Sequence, residues 1–325
     1  MYGTGRTVKS VCVICLILSP KVLSGAAIEQ EVYVKSFDGA YVAGYLRVPD
    51  GPGPHPAIMF IHGGIGGSGM EAMKPSSDNY VQNHFYADGY AVFQVDYRRF
   101  HFGDEELEDM VACYRYLRSR PEIDKTRIGI IGGSHGGYLA LMLATRVSPA
   151  AVVSFAGLVD IVGMFYEDGS KNASTMYGNF EWRERQYHQG KTIREEDEAM
   201  DKGELGPSKR HQLRAAEQVT RDVAARWGKD IEVYKRYSPK EQHGLITSPL
   251  LYVVGSEDRL KTAGKGLIEN LASLGRTAKY SEHPGMRHGF YWGRRLEDQG
   301  DIPEEFYRAL KLTTDFMRKW VKQKK

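Results

Sequence analysis

The chain has 325 residues, of which 42% are hydrophobic and 11% aromatic, and it carries a formal net charge of +3. That length is enough for a sizeable core, arranged as one large α/β domain or two small ones, and the composition is that of a globular protein and not of a disordered one. The nearly balanced charge argues against the strongly basic surface that a nucleic-acid partner would require.

The first 26 residues differ in composition from the rest of the chain. Arg6 and Lys9 precede an apolar run at 11–18, and the residues at 24–26 are small, as a signal peptidase requires. The run is too short to cross a bilayer. We expect a signal peptide at 1–26 and a secreted or periplasmic protein, with a disordered or anchoring N-terminus as the alternative.

Two of the three cysteines, Cys12 and Cys15, lie in this apolar run and would leave with the signal peptide. Cys113 would then have no partner for an internal disulfide. It lies on a predicted helix and is expected to be a buried apolar side chain and not a reactive thiol. We expect neither a structural zinc site nor any other metal or cofactor.

Short apolar segments and helical patterns alternate along most of the chain. Two alternating segments, 31–36 and 41–48, predict an antiparallel hairpin around Asp38-Gly39. Further apolar segments, typical of strands covered on both faces, lie at 57–61, 90–95, 128–131, 151–155 and 249–254, and one more strand is predicted at 277–281. Helical patterns lie at 104–118, 138–142, 263–274 and 303–321. This order predicts an α/β fold with a mostly parallel, doubly wound sheet.

The alternation lapses between about 162 and 237, in a charged and largely helical region that is rich in aromatic residues. Insertions after a sheet strand commonly lie over the strand ends where ligands bind. We therefore expect one domain at 27–325 with a helical insertion, a lid, at about 162–237. The alternative is a helical decoration packed at the side of the domain.

A G-x-S-x-G pattern occupies 132–136. A strand pattern stops at Gly132 and a helix pattern begins after Gly137, so Ser134 falls in a strand-to-helix turn. In such a turn the serine hydroxyl stands clear of the sheet, and only glycine fits the crowded positions two residues to either side. The pattern predicts a nucleophile, whereas the alternative is a glycine-rich connection with an incidental serine.

A second glycine-rich segment, Gly64–Gly69, follows a predicted strand and fits G-x-G-x-x-G. It permits a dinucleotide-binding domain in which Asp96 meets a ribose hydroxyl. Against this, such glycines should open directly into a helix, and Pro75 interrupts the residues that follow. We favour the alternative, an oxyanion hole to which Gly64 or Ile65 contributes a backbone N–H.

The other catalytic candidates lie in the last quarter of the chain. An acid should follow a late strand in a Ser-Asp-His order, and Asp258 is favoured over Glu257 because its spacing from Gly255 matches Gly-x-x-Asp. Only His283 and His288 follow this acid, so the base must be one of them if the order holds. His288 is favoured, since it lies in a glycine-containing loop that can bring an imidazole towards the serine.

These motifs resemble the catalytic domain of the prolyl oligopeptidase family of α/β-hydrolases, and the later ones also resemble dienelactone hydrolase-like relatives. The resemblance rests on P-x-I-D-x-x-R-I at 121–128, G-G-S-H-G-G-Y at 132–138, G-x-x-D at 255–258 and G-x-x-H-G-F at 285–290. It covers roughly 31–322 apart from the insertion, and it implies the α/β-hydrolase fold.

The resemblance also implies a serine hydrolase with Ser134 as nucleophile, Asp258 as orienting acid, His288 as base and the backbone N–H of His135 in the oxyanion hole. The insertion is not part of that family's common core, so we expect carboxylic esters as well as short peptides or amides as substrates, with a peptidase proper as the alternative. We expect no nucleic-acid or membrane partner. A non-catalytic relative that only binds ligands is disfavoured, because all three triad positions carry competent residues in the expected order.

Overall fold

The computed structural model describes residues 24–64, 66–98, 102–166, 223, 225–291 and 302–323. The expected signal peptide, except for its last residues, and most of the expected insertion lie outside the described residues. The strands are β1 Ser24–Gly25, β2 Ile28–Lys35, β3 Tyr41–Val48, β4 Gly51–Pro52, β5 His55–Ile61, β6 Ala91–Val95, β7 Ile123–Gly133, β8 Ala151–Phe155, β9 Leu250–Gly255 and β10 Ala278–His283.

Within these ranges eight strands form one sheet in the order β10-β9-β8-β7-β5-β6-β3-β2, and β1 pairs with β4 separately. β2 pairs with β3 as an antiparallel hairpin, and β3 is antiparallel to β6. The remaining neighbours in the sheet are parallel to each other. The predicted hairpin and the predicted parallel, doubly wound sheet are both confirmed.

The helices are α1 Met70–Ser76, α2 Tyr80–Ala87, α3 Asp104–Ser119, α4 His135–Leu143, α5 Ile231–Arg236, α6 Pro239–Gln242, α7 Lys261–Ser273 and α8 Glu304–Met317. Short π-helical segments lie at Val162–Tyr166 and Arg318–Lys322, and a 3₁₀ turn at His243–Leu245. The expectation that Pro75 prevents a helix directly after the second glycine-rich segment is wrong, because α1 begins one residue after Gly69 and contains Pro75. Proline removes one hydrogen bond, and this is tolerable here because α1 ends at the next residue.

The core lies on both faces of the sheet. Successive side chains of a strand point to opposite faces, and in β5 Ala57, Met59 and Ile61 belong to one buried cluster while Ile58 and Phe60 belong to the other. The first cluster includes side chains of α3, α4 and α7, and the second includes side chains of α2 and α8. Helices therefore cover both faces, which explains why the central strands are continuously apolar.

The parallel strands bring distant parts of the chain to one edge of the sheet. β5 ends at Ile61, β6 at Val95, β7 at Gly133, β9 at Gly255 and β10 at His283. The carboxyl ends of parallel strands lie at the same edge, which is where α/β folds bind their ligands. The predicted site residues follow these strand ends in the chain, so the topology places all of them at this edge.

Candidate active site

Ser134 lies in the sharp turn between β7 and α4. Its backbone has φ 54° and ψ −119°, a conformation that residues with a side chain rarely adopt. Its N–H donates to the Phe155 carbonyl at 2.8 Å, which ties the turn to the end of β8. The residue is half-buried. The turn therefore holds the serine at the sheet edge, with its hydroxyl accessible.

Gly132 and Gly136 are required by the packing around this turn. A Cβ at Gly132 would lie 2.1 Å from the Gly136 carbonyl oxygen, and one at Gly136 would lie 2.2 Å from the Ile61 carbonyl oxygen. Both neighbours are backbone atoms of packed strands and turns, so they cannot move aside at low cost. The crowding that the G-x-S-x-G pattern predicts is present in the fold.

The structure brings Ser134, His288 and Asp258 together. His288 Nε2 lies 2.9 Å from Ser134 Oγ, and His288 Nδ1 lies 2.7 Å from Asp258 Oδ2. The Asp258 side chain is 1% exposed and that of His288 is 41% exposed. An ionised carboxylate can only accept, so it selects the tautomer with the proton on Nδ1 and leaves Nε2 to accept from the serine hydroxyl. The catalytic roles of the three residues stay predictions.

The two rival residues have other partners. Glu257 faces solvent, where its Oε2 accepts from Arg287 Nε at 2.9 Å. His283 is buried, and its Nδ1 lies 2.9 Å from Oε2 of Glu305 on α8. Neither residue belongs to the hydrogen-bonded chain that starts at Ser134 Oγ, so the geometry favours Asp258 and His288.

Backbone hydrogen bonds hold the acid and the histidine in register. We call 255–258 the acid loop and 283–288 the histidine loop. In the acid loop the Ser256 N–H donates to the His283 carbonyl at 2.9 Å, and the Glu257 N–H donates to the Met286 carbonyl at 3.0 Å. In return the Gly285 N–H donates to Ser256 Oγ at 2.9 Å. The distance between Asp258 and His288 is therefore set by the backbone and not by their side chains alone.

Residues 64 and 66–69, which we call the glycine loop, are held by Asp96, which directly follows β6. The Asp96 carboxylate accepts from the N–H groups of Gly67 at 3.0 Å and Gly69 at 2.7 Å. It also accepts from the Tyr97 N–H at 2.8 Å and lies 3.0 Å from His62 Nε2. This buried acid binds the loop's own backbone. It is therefore not available for a ribose hydroxyl, and the dinucleotide interpretation loses its acidic ligand.

The pKa of Asp96 reflects these contacts. Burial raises the pKa of the carboxyl group, but the hydrogen bonds from His62 and from the backbone N–H groups of Gly69 and Tyr97 outweigh burial and lower it below the ordinary value of 3.8. The carboxylate is therefore ionised at neutral pH. Its negative charge binds the backbone N–H groups of the glycine loop and so holds the loop in place.

Tyr97 packs against the glycine loop. The basic and aromatic sequence at 97–100 favours a solvated turn, with a loop that shapes the site as the alternative, but Tyr97 is buried, so for this residue the favoured interpretation is wrong. Its ring stacks on the His62 ring with centroids 4.7 Å apart, and its hydroxyl donates to the Gly64 carbonyl at 2.9 Å. A Cβ at Gly66 would lie 2.4 Å from the ring, so the loop can close over Tyr97 only with glycine there.

The predicted oxyanion-hole residues flank the serine. A Cβ at Gly63 would lie 3.1 Å from Ser134 Cβ, which places the residue just before the glycine loop beside the nucleophile. Gly64 follows with φ 91°, whereas Ile65 lies outside the described residues. His135 is the first residue of α4, and backbone N–H groups at a helix start point out of the helix. Their role as oxyanion donors stays a prediction.

No three His, Cys, Asp or Glu side chains in the described ranges lie together in a way that could hold a metal ion. Cys113 is fully buried, and desolvation raises the pKa of its thiol well above the usual range. It is therefore a small apolar core residue, as its sequence context predicts. Among the described residues, every helix is too short or too polar to span a lipid bilayer.

The fold agrees with the comparison with known families. Residues 58–292, more than half of the 325-residue chain, match a family model described as alpha/beta hydrolase fold. The chain belongs to this family. The matched range of this α/β-hydrolase includes Ser134, Asp258 and His288. The fold implied by the resemblance to the prolyl oligopeptidase catalytic domain is thereby confirmed.

This α/β-hydrolase is similar to proteins named as peptidases and as esterases. It is 31% identical over 140 residues to "Uncharacterized peptidase YtmA" of Bacillus subtilis (strain 168), a match that covers 40% of this chain and 52% of that protein. The chain thus spans about half the length of this curated relative.

Two solved structures cover nearly the whole chain at low sequence identity. Carboxyl esterase 2 of the mycorrhizal fungus Tuber melanosporum has a TM-score of 0.61 at 20% identity and covers 92% of this chain and 89% of its own. The acylaminoacyl peptidase of Pyrococcus horikoshii has a TM-score of 0.61 at 18% identity and covers 93% of this chain and 43% of its own. These two likenesses show the fold alone.

Proposed function

We propose that this protein is a serine hydrolase that transfers an acyl group from an ester or amide to water. The observation that carries this proposal is the relay from Ser134 Oγ to His288 Nε2 at 2.9 Å and from His288 Nδ1 to Asp258 Oδ2 at 2.7 Å. The relay begins on a backbone-strained serine in a strand-to-helix turn and ends on a buried carboxylate. Strain at such a site is a mark of function because it costs free energy that packing alone would avoid.

In the proposed reaction, His288 Nε2 takes the hydroxyl proton of Ser134 while the serine oxygen attacks the carbonyl carbon. Asp258 holds the imidazole in the required tautomer and stabilises its protonated form. The protonated imidazole then gives its proton to the leaving alcohol or amine, which leaves an acyl-enzyme. Water repeats the sequence, releases the acid and restores the serine hydroxyl.

The negative oxygen of the tetrahedral intermediate would be bound by the backbone N–H of His135 and by one from Gly64 or Ile65. Support comes from the close approach of Gly63 to the Ser134 side chain, where a Cβ on Gly63 would lie 3.1 Å from Ser134 Cβ, and from the position of His135 at the start of α4. Each such donor typically contributes about 3 kcal/mol of transition-state stabilisation. The two donors come from different strand ends and are therefore aligned by the sheet.

The decisive experiment replaces the nucleophile. Ser134→Ala should lower kcat for a p-nitrophenyl ester by about 10³-fold or more, because the acyl-enzyme can no longer form. It should also abolish covalent labelling by a fluorophosphonate probe. The control is Ser273→Ala, at the exposed end of α7, which should leave rate and labelling unchanged. A Ser134→Ala protein with near wild-type turnover refutes the proposal.

Carboxylic esters and short peptides are the proposed substrate classes. The peptidase name of YtmA supports peptides, and the half-exposed His288 gives solvent access that suits small esters as well as short peptides. Values of kcat/KM for p-nitrophenyl acetate, longer acyl esters and aminoacyl-nitroanilides separate the two classes. We expect esters to react fastest, and faster turnover of the nitroanilides supports a peptidase proper.

We further propose that residues 1–26 direct export and that the mature protein is secreted or periplasmic. The support is the sequence alone: Arg6 and Lys9, the apolar run at 11–18 and the small residues at 24–26. Expression of the full chain followed by N-terminal sequencing of the exported protein tests this. A mature protein that begins near residue 27 is expected, and retention of residues 1–26 in a cytoplasmic product contradicts it.

A further inference from the structure

Glu106 and His135 form a buried pair beside the proposed nucleophile. Glu106 lies in the first turn of α3, and His135 follows Ser134 as the first residue of α4. Glu106 Oε2 lies 3.0 Å from His135 Nε2, and their side chains are 0% and 3% exposed. Since an ionised carboxylate can only accept, His135 Nε2 donates this hydrogen bond whenever Glu106 is ionised.

Stability gives no reason for such a pair. Removing a carboxylate from water costs several kcal/mol, and well-packed apolar residues of similar volume commonly stabilise a core as well as or better than a buried ion pair does. The neighbours of the imidazole are already aromatic: the ring centroids of Phe102, Tyr97 and Tyr138 lie 4.6 Å, 5.3 Å and 5.3 Å away. An apolar pair would suit this environment, so the polar pair calls for another explanation.

The explanation lies in the sequence at the start of α4. Gly136 and Gly137 follow His135, and glycine is a poor helix former because its backbone is conformationally free. Among the first three residues of α4 only His135 has a side chain. Neighbouring elements can therefore hold this part of the backbone through side-chain contacts only at His135. The backbone N–H of His135 is the proposed oxyanion donor. The hydrogen bond between its side chain and Glu106 connects this residue to α3.

We infer that Glu106 is a positioning residue, which holds the His135 side chain and thereby aims the His135 backbone N–H at the oxyanion. The inference rests on the proposed function and adds a residue that does not touch the substrate. The three aromatic rings confine the imidazole plane, while the carboxylate fixes the direction of its Nε2–H. Geometry at an oxyanion hole is demanding, since small misplacements of a donor cost much of its effect.

The test uses Glu106→Leu, which keeps the approximate volume of the side chain and removes the acceptor, and Glu106→Gln, which restores an acceptor. Two quantities are measured: kcat and KM for a p-nitrophenyl ester, and the affinity for a trifluoromethyl ketone. Ser134 Oγ adds to the ketone carbonyl while His288 Nε2 takes the hydroxyl proton, and the hemiketal that forms has a negatively charged oxygen in the oxyanion position. Tm is recorded for each variant.

Glu106→Leu should lower kcat and the ketone affinity by about 10-fold to 100-fold each, with KM changed by less than about threefold. Glu106→Gln should recover most of both losses, because its amide oxygen can accept from His135 Nε2. The control is Glu122→Gln, at the partly buried Arg120–Glu122 pair just before β7, at the opposite end of that strand from Ser134. Its kcat and ketone affinity should stay within about twofold of wild type.

A folded Glu106→Leu protein with kcat and ketone affinity within about twofold of wild type overturns the inference, even if its Tm falls, since a merely structural role predicts that result. If Glu106→Leu does not fold, Glu106→Met replaces it. If neither folds, the pair is needed for stability, which also overturns the inference. If the wild-type protein neither hydrolyses esters nor reacts with a fluorophosphonate, the proposed function itself fails, and that outcome is distinct from the others.

Discussion

The strain at Ser134 is maintained by its neighbours. A non-glycine residue in a sparsely populated backbone region costs about 1–3 kcal/mol, and it persists only where surrounding structure over-determines it. Here the hydrogen bond to the Phe155 carbonyl and the close approach of Gly132 to Gly136 provide that constraint. Ala156, at the end of β8, also has a positive φ of 45°, so two successive strand ends at the site are strained.

At Gly255 an added methyl group should move His288 away from Asp258 and Ser134. A Cβ there would lie 2.0 Å from the Met286 carbonyl oxygen, which belongs to the histidine loop and cannot rotate away. We predict that Gly255→Ala displaces His288 and lowers kcat/KM for a p-nitrophenyl ester by about 10-fold to 100-fold. Steady-state kinetics on protein shown to be folded by circular dichroism measures this.

Gly266, on α7, supplies the control for that substitution. Nothing lies within 4 Å of a Cβ built there, so Gly266→Ala adds a methyl group without a clash. It should raise the free energy of unfolding by about 0.5–1 kcal/mol, because alanine loses less backbone entropy than glycine in a helix. Activity should not change. Equal activity in the Gly255 and Gly266 variants would show that the histidine loop tolerates displacement.

At the scale of elements, the site depends on neighbouring strand ends. β5 and β6 pair in parallel, so His62 after β5 and Asp96 after β6 are brought side by side at the same edge. Asp96 then collects backbone N–H groups from the glycine loop, and hydrogen bonds to a charged group are stronger than those between neutral groups. The loop beside the nucleophile is therefore anchored by one carboxylate.

Asp96 should make the stability of the protein depend on pH. Its pKa in the folded protein is below the ordinary value of 3.8, so its stabilising contribution is complete above that value and is lost as the pH falls from there through the folded pKa. We predict that Asp96→Asn lowers the free energy of unfolding at neutral pH by about 1–3 kcal/mol. Urea unfolding at neutral pH and at about pH 3 should show a smaller difference between variant and wild type at the acidic pH.

The control for Asp96 is an exposed acid with no loop to hold. Asp315, on α8, pairs with Lys311 in solvent, and Asp315→Asn should change the free energy of unfolding by less than about 0.5 kcal/mol at either pH. If Asp96→Asn changed the free energy of unfolding as little as Asp315→Asn does, the Asp96 carboxylate would not be what orders the glycine loop.

At the scale of the whole molecule, stability comes from the two apolar layers that sandwich the sheet. The layer formed with α2 and α8 is rich in aromatic side chains. Phe306 on α8 is fully buried there, with ring centroids 5.6 Å from Tyr80, 5.4 Å from Tyr291 and 5.5 Å from Tyr307. α8 thus packs the last part of the chain against the sheet face opposite the one that α3 and α4 cover.

Phe306→Ala should lower the free energy of unfolding by about 3–5 kcal/mol, because it removes a buried ring and leaves a cavity that packed neighbours fill only in part. The neighbouring Tyr307 is 41% exposed, and Tyr307→Ala should cost less than about 1.5 kcal/mol. Urea unfolding followed by tryptophan fluorescence measures both. Equal losses in the two variants would mean that α8 is not packed as described.

Some features could be predicted because they depend on residues close together in the chain. Ser134 was identifiable because strand pattern, small residues and helix pattern succeed one another within a few positions. The prediction failed at Tyr97, where a basic and aromatic segment resembles a solvated turn until its neighbours are known. Glu106 was also missed, although it lies four residues before Met110 on the apolar face of α3 and could have been noticed there.

The sequence by itself determined the order of the sheet strands along the chain, four of the helices, the turn that carries Ser134 and the short set of acids and histidines from which its partners come. The sequence favours Asp258 over Glu257 and His288 over His283, but only the tertiary structure brings Asp258 and His288 within hydrogen-bonding distance of each other and His288 within that distance of Ser134. The reason is that Ser134 and His288 are 154 residues apart, and their 2.9 Å contact depends on how the parallel strands stack side by side and on the backbone bonds between the two loops. Local patterns determine which elements form, whereas packing between elements determines which side chains meet.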